Sequence, residues 1–346
     1  MIKTPPSSPW PRLRAAALDP ARGGQRATGD RGLPVCYRAN DQSIYGWRLA
    51  DVRRLLRLAD EALPGLTRVD LETNYRCPAP VLERAVRLVE HNLERFAKTI
   101  RAGPNAAGRL VLAPSTADDV DRAAVVLSSW PDDGGTRAVL ARTNRELLPV
   151  VGAALRLSIP FRAAELRLPV ESPIVDELIE RASESPLAAG APLIALGRLA
   201  ERMPLDGAAI DPDDDPTLER AAIASAVLGW AAGVRSLAEL SVAVATTRVR
   251  LEELRRDDAP LTLATAHGTK GLEFDHVAVV GLDDGRFPSA RSVAEAVEPD
   301  RALEEERRLA YVAWTRARRS LTLVYDPGSP SQFLREAFTT VELGVR

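Results

Sequence analysis

The sequence predicts an α/β protein, a parallel sheet covered by helices and interrupted by an all-helical insertion. Three observations predict it. Short apolar runs and amphipathic helical patterns alternate between residues 33 and 141. The stretch 165–258 is Ala-rich, helical in its spacing and without a visible strand. Strand patterns then resume at 261–264, 276–281 and 320–325.

Taken in order, residues 1–33 are rich in Pro, Gly and Arg without periodicity, which predicts a disordered leader. They hold no apolar core of a signal peptide or membrane anchor. A short strand is expected at 33–37 and a loop at 38–45. Val52, Leu55, Leu56, Ala59 and Leu63 recur at helical spacing, so 51–63 reads as a helix. Pro78 opens a second helix over 78–96, since proline fits the first turn. Strands at 110–113 and 138–141 flank a helix near 118–130. Within 165–258, Pro186, Pro204 and the acidic stretch DPDDDP at 211–216 punctuate the helices. The longest apolar run, 221–234, is interrupted by Ser225, Gly229 and Gly233 and is too short to span a bilayer, so it reads as a core helix.

With 346 residues, 45% hydrophobic and 27% charged, the chain suits two globular domains or one domain carrying an insertion. The 46 basic residues face 48 acidic ones, for a net charge of −2. No global basic field exists, so any nucleic-acid contact must be a local patch. Lysine occurs only at Lys3, Lys98 and Lys270. Cys36 and Cys77 lie far apart without a C-x-x-C spacing, which predicts buried free thiols and no disulfide framework or zinc site. His91 on a helix and His276 at a strand start read as structural, and no Ser/His/Asp constellation is visible. A cytoplasmic location is expected.

Four segments carry chemistry. In LTLATAHGTKGLEFDHVAVVG, residues 261–281, two apolar strands enclose a loop with Thr265, His267, Lys270, Gly271 and Glu273. Small and polar residues between buried strands gather side chains and amides at a sheet edge, where α/β proteins bind ligands. In EEERRLAYVAWTRA, 304–317, an apolar face of Leu309, Ala310, Val312 and Ala313 and the i,i+4 pair Glu304/Arg308 describe a charged amphipathic helix. That leaves Thr315, Arg316 and Ala317 at its end unaccounted for. LETNYR, 71–76, reads as a polar turn before a helix. DQSIYGW, 41–47, sets Tyr45 and Trp47 around a glycine. Such a pair is more often core, but on a loop it makes a base-stacking platform worth about 1–3 kcal/mol per base.

Together and in order, these segments resemble motifs III, IV, V and VI of the UvrD/Rep-like superfamily 1 helicases. AVLARTN (138–144), SIPF (158–161), GRFP (285–288) and SQFL (331–334) are weaker echoes, and the resemblance covers roughly residues 38–337. It implies that 71–164 and 259–346 form the second RecA-like domain, a P-loop NTPase-type parallel sheet. Residues 34–70 would be a remnant of the first, and 165–258 a shortened form of the family's duplex-contacting insertion. It implies ATP with Mg2+ as cofactor and single-stranded DNA as partner. Arg316 would act as an arginine finger and Arg76 contact the γ-phosphate, with Gln42 sensing it. Tyr75 would stack on adenine and Glu273 meet the ribose, with Lys270 and Gly271 beside the nucleotide. Tyr45, Trp47, Thr265 and His267 would face DNA.

The sequence departs from the family in one half of the site. The pattern G-x-x-x-x-G-K-[ST] is absent and no lysine follows a glycine. Asp60 and Glu61 sit in a helical pattern after motif III, where no Walker B strand belongs, and Arg38, Ala39 and Asn40 replace the aspartates expected before Gln42. The expectation is therefore the C-terminal portion of an ATP-dependent 3′-to-5′ DNA helicase of repair or replication that is not an autonomous motor. The alternative is a non-catalytic module that binds single-stranded DNA or a repair protein. A separate chain carrying the P-loop domain, or a reading frame interrupted upstream, would each account for the missing half.

Overall fold

The computed structural model describes residues 72–95, 99–104, 106–186, 192–202 and 216–345. The expectations for the leader, the strand at 33–37, the helix at 51–63 and residues Gln42, Tyr45 and Trp47 lie outside the described residues.

Six apolar runs form one parallel sheet: β3 (Arg109–Pro114), β4 (Arg137–Ala141), β5 (Phe161–Arg162), β6 (Leu261–Thr265), β7 (Phe274–Val279) and β8 (Ala317–Tyr325). Their spatial order is β3-β8-β7-β4-β6-β5, and every pair in it is parallel. Alternate residues of β4 face opposite layers, as the two-residue period of a strand requires. Val139 and Ala141 join a core with α2 (Asp119–Ser129) and α3 (Leu148–Leu157), while Ala138 and Leu140 join one with α1 (Ala79–Val89) and, later in the chain, α9 (Pro299–Trp314) and α10 (Gln332–Ala337). Both sheet faces are thus covered, the condition under which a parallel RecA-like sheet is stable.

Between β5 and β6 every named element is helical: a 3-10 turn at Pro169–Glu171, then α4 (Pro173–Ser183), α5 (Pro192–Arg202), α6 (Pro216–Ala231) and α7 (Leu237–Leu254). In the run expected to be a core helix, Ile223, Ala224, Val227 and Ala231 of α6 are buried. No helix of the described residues is long and apolar enough to cross a membrane.

Several elements differ from expectation. The helix expected over 78–96 is α1, which ends at Val89, so His91 lies in the following turn and not on the helix. The Glu304 carboxylate accepts the backbone N–H groups of Leu93 (2.8 Å) and Glu94 (3.1 Å), turning that chain away from further helix. A small parallel pair, β1 (Thr73–Asn74) with β2 (Arg101–Ala102), was not visible, since two residues show no period. The short helix α8 (Ala290–Ala294) precedes α9.

Candidate functional site

The segment after β6 is a crossover. Strands β6 and β7 flank β4 on opposite sides and run parallel to it. The chain leaving Thr265 at the C-terminal edge of the sheet must therefore return to the starting edge before Phe274. It does so through a 3-10 turn at His267–Thr269 and through Gly271, whose φ of +89° favours glycine although a Cβ there would meet nothing within 4 Å. Buried Thr269 donates to the Ala266 carbonyl at 2.9 Å and anchors the path. The five residues that the sequence gathered at one sheet edge are thereby divided: Thr265 and His267 lie at one edge, Glu273 at the other.

At the starting edge, side chains distant in sequence converge. The Asn74 side-chain oxygen accepts the N–H groups of Arg76 and Cys77, both at 2.9 Å, fixing the turn that presents Arg76. Arg76 Nε lies 2.5 Å from Glu273 Oε1, with both side chains about one-third exposed (33% and 35%). Arg316, one residue before β8, donates from Nε to the Val312 carbonyl (2.9 Å) and from Nη1 to that of Leu272 (3.1 Å), so motif VI holds the end of the motif V loop. Its Nη2 has no hydrogen-bond partner, and the residue is only 1% exposed. Burial and then the adjacent Arg76 charge lower its pKa, with Glu273 opposing them. The accessible guanidinium of this cluster is thus that of Arg76, with Arg316 behind it. Tyr75 is 79% exposed, its ring so close to Gly103 that a Cβ there would come within 2.9 Å of Cδ1.

Burial pushes the Cys77 thiol up to about 12 against the pull of Arg76 and Arg316. In the native protein at neutral pH, Cys77 should resist iodoacetamide and react only on unfolding. Peptide mapping, which separates it from Cys36, checks this, and native labelling of Cys77 would contradict its burial.

At the other edge, the Thr265 hydroxyl accepts the Gly268 N–H at 3.4 Å. Burial, and then the Arg142 charge, hold His267 down to about 4. It is therefore neutral at physiological pH and offers a hydrogen bond but no charge. Because its folded pKa lies below the unfolded one, stability should fall as pH drops from about 6.5 towards 4, by on the order of 1–2 kcal/mol after allowing for partial exposure. His267→Gln should flatten that stretch of the stability–pH curve, and an unchanged slope would count against the shift. Lys270 is exposed on the same loop. Arg142, which does not stand out in the sequence, binds the buried Glu306 through Nε (2.8 Å) and Nη2 (2.7 Å), tying the end of β4 to α9. The signal was present in ARTN and in the EEERR run.

One expectation is corrected. A Ser/His/Asp arrangement does exist: His276 Nδ1 is 2.7 Å from Ser320 Oγ, and its Nε2 is 3.0 Å from Asp133 Oδ2. Ser320 is buried, so no substrate reaches it, and the trio joins the beginnings of β7 and β8 to the turn before β4. These residues are far apart in sequence, which hid the contact. Among the described residues, no group of three or more His, Cys, Asp or Glu side chains is placed to hold a metal ion.

The chain resembles the C-terminal part of UvrD/Rep-like superfamily 1 helicases, and residues 231–327 match the family of UvrD-like helicase C-terminal domains. Among its relatives, DNA helicase II of Escherichia coli (strain K12) is 28% identical over 86% of this chain and 52% of its own length. ATP-dependent DNA helicase PcrA of Leuconostoc citreum is 26% identical over 86% of this chain and 52% of its own. PcrA of Bacillus subtilis (strain 168) is 51% identical over 72 residues, 21% of this chain and 9% of that one. The chain spans about half the length of the first two (52%). The match to the E. coli protein runs over 387 aligned positions, more than the 346 residues here, so that relative carries segments this chain lacks. A solved structure, the C-terminal domain of a possible DNA helicase from Lactobacillus plantarum WCFS1, aligns with TM-score 0.36 and 14% identity over 78% of this chain and 96% of that one.

Proposed function

We propose that this chain supplies the second half of an ATP-dependent 3′-to-5′ DNA-unwinding motor acting in the cytoplasm. In this reading 71–164 and 259–346 form the second RecA-like domain, and 165–258 is a reduced insertion. The observation that carries it is the meeting of Arg76, Glu273 and Arg316 at one sheet edge, with a single loop running from there to Thr265 and His267. Two guanidinium groups, one with an unused donor, suit a polyphosphate held between this domain and another. ATP, when bound, supplies the γ-phosphoryl group. Arg76 faces its charge and Arg316 supports that charge from behind. Tyr75 offers its exposed ring to the base, while Lys270 and Gly271 lie along the same loop. Glu273 orients Arg76 and is the group available to a ribose hydroxyl.

Single-stranded DNA is the proposed second ligand, contacted by Thr265 and neutral His267, together with Tyr45 and Trp47 from motif III. Gln42 would report the phosphate to that contact. Because the crossover loop joins the two edges, a shift of Glu273 on closure of the nucleotide site moves the DNA-facing turn without an intermediary domain.

Nothing in these 346 residues provides a P-loop, so hydrolysis requires one from elsewhere, either a longer polypeptide or a separate chain. The purified chain should bind a labelled oligo(dT) yet show no ATP turnover above background, with or without that DNA. DNA-stimulated turnover by the chain alone would overturn the half-motor reading. The missing P-loop pattern also favours a second reading, a non-catalytic module for single-stranded DNA or a repair protein. Adding the P-loop half of a UvrD-like helicase separates the two, since only a half-motor gains turnover.

A further inference from the structure

Strand β5 lies at the outer end of the sheet and pairs in parallel with β6. The residues that follow each strand therefore leave on the same edge, where Thr265 and His267 lie. After β5 the chain makes a tight turn, closed by the Leu166 N–H on the Ala163 carbonyl at 3.4 Å. Arg255, just beyond α7, grips that turn. Its Nη2 donates to the carbonyls of Ala163 (2.7 Å) and Leu166 (2.5 Å), while Nη1 holds Glu171 at 3.0 Å. One planar group thus fixes the backbone on both sides of Glu165.

Glu165 is what the turn presents. It is exposed, and among the described residues no hydrogen bond or ion pair engages its carboxylate. Arg162, earlier in the same segment, donates instead to Thr262 Oγ1 at 3.1 Å. Gly268 approaches both this carboxylate and Thr265: a Cβ on it would stand 3.3 Å from Glu165 Oε2 and 3.6 Å from Thr265 Oγ1. The missing side chain leaves a gap floored by backbone, with a carboxylate and a hydroxyl in reach of it. Neutral His267 adds no charge there. A phosphate has no place beside such a carboxylate, since the two negative charges repel. A nucleobase edge that carries an amine does, because it donates to an acceptor that nothing else satisfies.

We propose that Glu165 reads the bases of single-stranded DNA, favouring those with an exocyclic amine and hence cytosine over thymine. The proposal rests on the reading above that DNA lies along Thr265 and His267. Cytosine offers its amine to the carboxylate, the pairing that acidic side chains make with that base. Thymine sets its one N–H between two carbonyl oxygens, and both oppose the carboxylate. The exposed cations nearby, Lys270 on the same loop and Arg167 two residues beyond Glu165, suit the phosphates and are indifferent to sequence. Affinity and base preference therefore come from different side chains.

Fluorescence anisotropy on the full chain, with oligo(dC) and oligo(dT) of equal length, tests it. The two share a backbone and a ring size, so the ratio of their affinities isolates the base edge. Wild type should bind oligo(dC) about three- to tenfold more tightly. That ratio should hold as salt rises, because counterion release weakens both alike. Glu165→Gln, whose amide can also donate to a thymine carbonyl, should bring the ratio close to unity at an unchanged unfolding temperature. Glu165→Ala should do the same. A ratio near unity in wild type overturns the proposal, and so does one that Glu165→Gln leaves intact. Equal gains for both oligonucleotides in Glu165→Gln would place the carboxylate against the backbone, and equal losses would reduce it to shaping the turn; either result overturns base reading. Wild type that binds neither oligonucleotide, or binding untouched by His267→Ala, would mean that the DNA edge itself is misassigned, and base reading would fall with it.

Discussion

Glu304→Ala should cost about 3–5 kcal/mol of stability, the range for removing one partner of a buried ion pair. The Glu304 carboxylate is buried near the start of α9 and serves three donors: the N–H groups of Leu93 and Glu94, and Nη2 of Arg308 at 2.9 Å. Alanine leaves the fully buried Arg308 guanidinium without its carboxylate and two backbone donors without acceptors. In thermal unfolding this should appear as a drop on the order of 10 °C. Glu304→Gln keeps an acceptor but loses the charge, and should fall between. Glu304→Leu/Arg308→Met, which removes both charges, should recover much of the loss. If Glu304→Ala unfolded within a degree or two of wild type, the pair would not be the buried anchor described.

That prediction turns on a feature the sequence showed only in part. The EEERR run displayed the i,i+4 pairing of Glu304 with Arg308, and periodicity placed it on a helix. Periodicity alone could not show that the charged face is buried too. Arg307 reaches Glu336 of α10 at 2.8 Å and Asn92 at 3.3 Å, and Glu306 receives Arg142. Each partner is distant in sequence, and a helix buried by paired charges has the same local text as a solvated one. The parallel sheet was more legible. Strands covered on both faces read as short continuous apolar runs, and β4, β6 and β7 showed that pattern. The two-residue elements β1, β2 and β5 offer too little length for a period and were missed.

Much of the candidate site was legible as residue types and little as geometry. Thr265, His267, Glu273 and Arg316 stood out within their strings, but no string says on which side of the sheet its residues lie. The division of the crossover loop between two edges follows from strand order, because β6 and β7 bracket β4. Nor could spacing reveal that Arg316 is buried while Arg76 is accessible. That depends on Asn74 fixing the turn at Arg76 and on two carbonyls drawing Arg316 inward.

The same asymmetry fixes what substitution of Arg316 should do in a motor completed by a P-loop half. Arg316→Ala should lower DNA-stimulated ATP turnover by about 10³-fold, the lower range for an arginine that stabilises charge on a transferred phosphoryl group. Arg316→Lys should not rescue it. A single ammonium cannot hold the Val312 and Leu272 carbonyls from two directions and keep a planar donor free for an anion. Arg76→Ala should be comparably damaging, and the double variant little worse than either, because in the proposed reading the two guanidinium groups would face one anion. DNA affinity without nucleotide should change by less than about threefold, since Thr265 and His267 occupy the opposite edge of the sheet. If Arg316→Ala kept turnover within about tenfold of wild type while Arg76→Ala abolished it, the unused Nη2 would be a packing feature and Arg76 alone would face the phosphate.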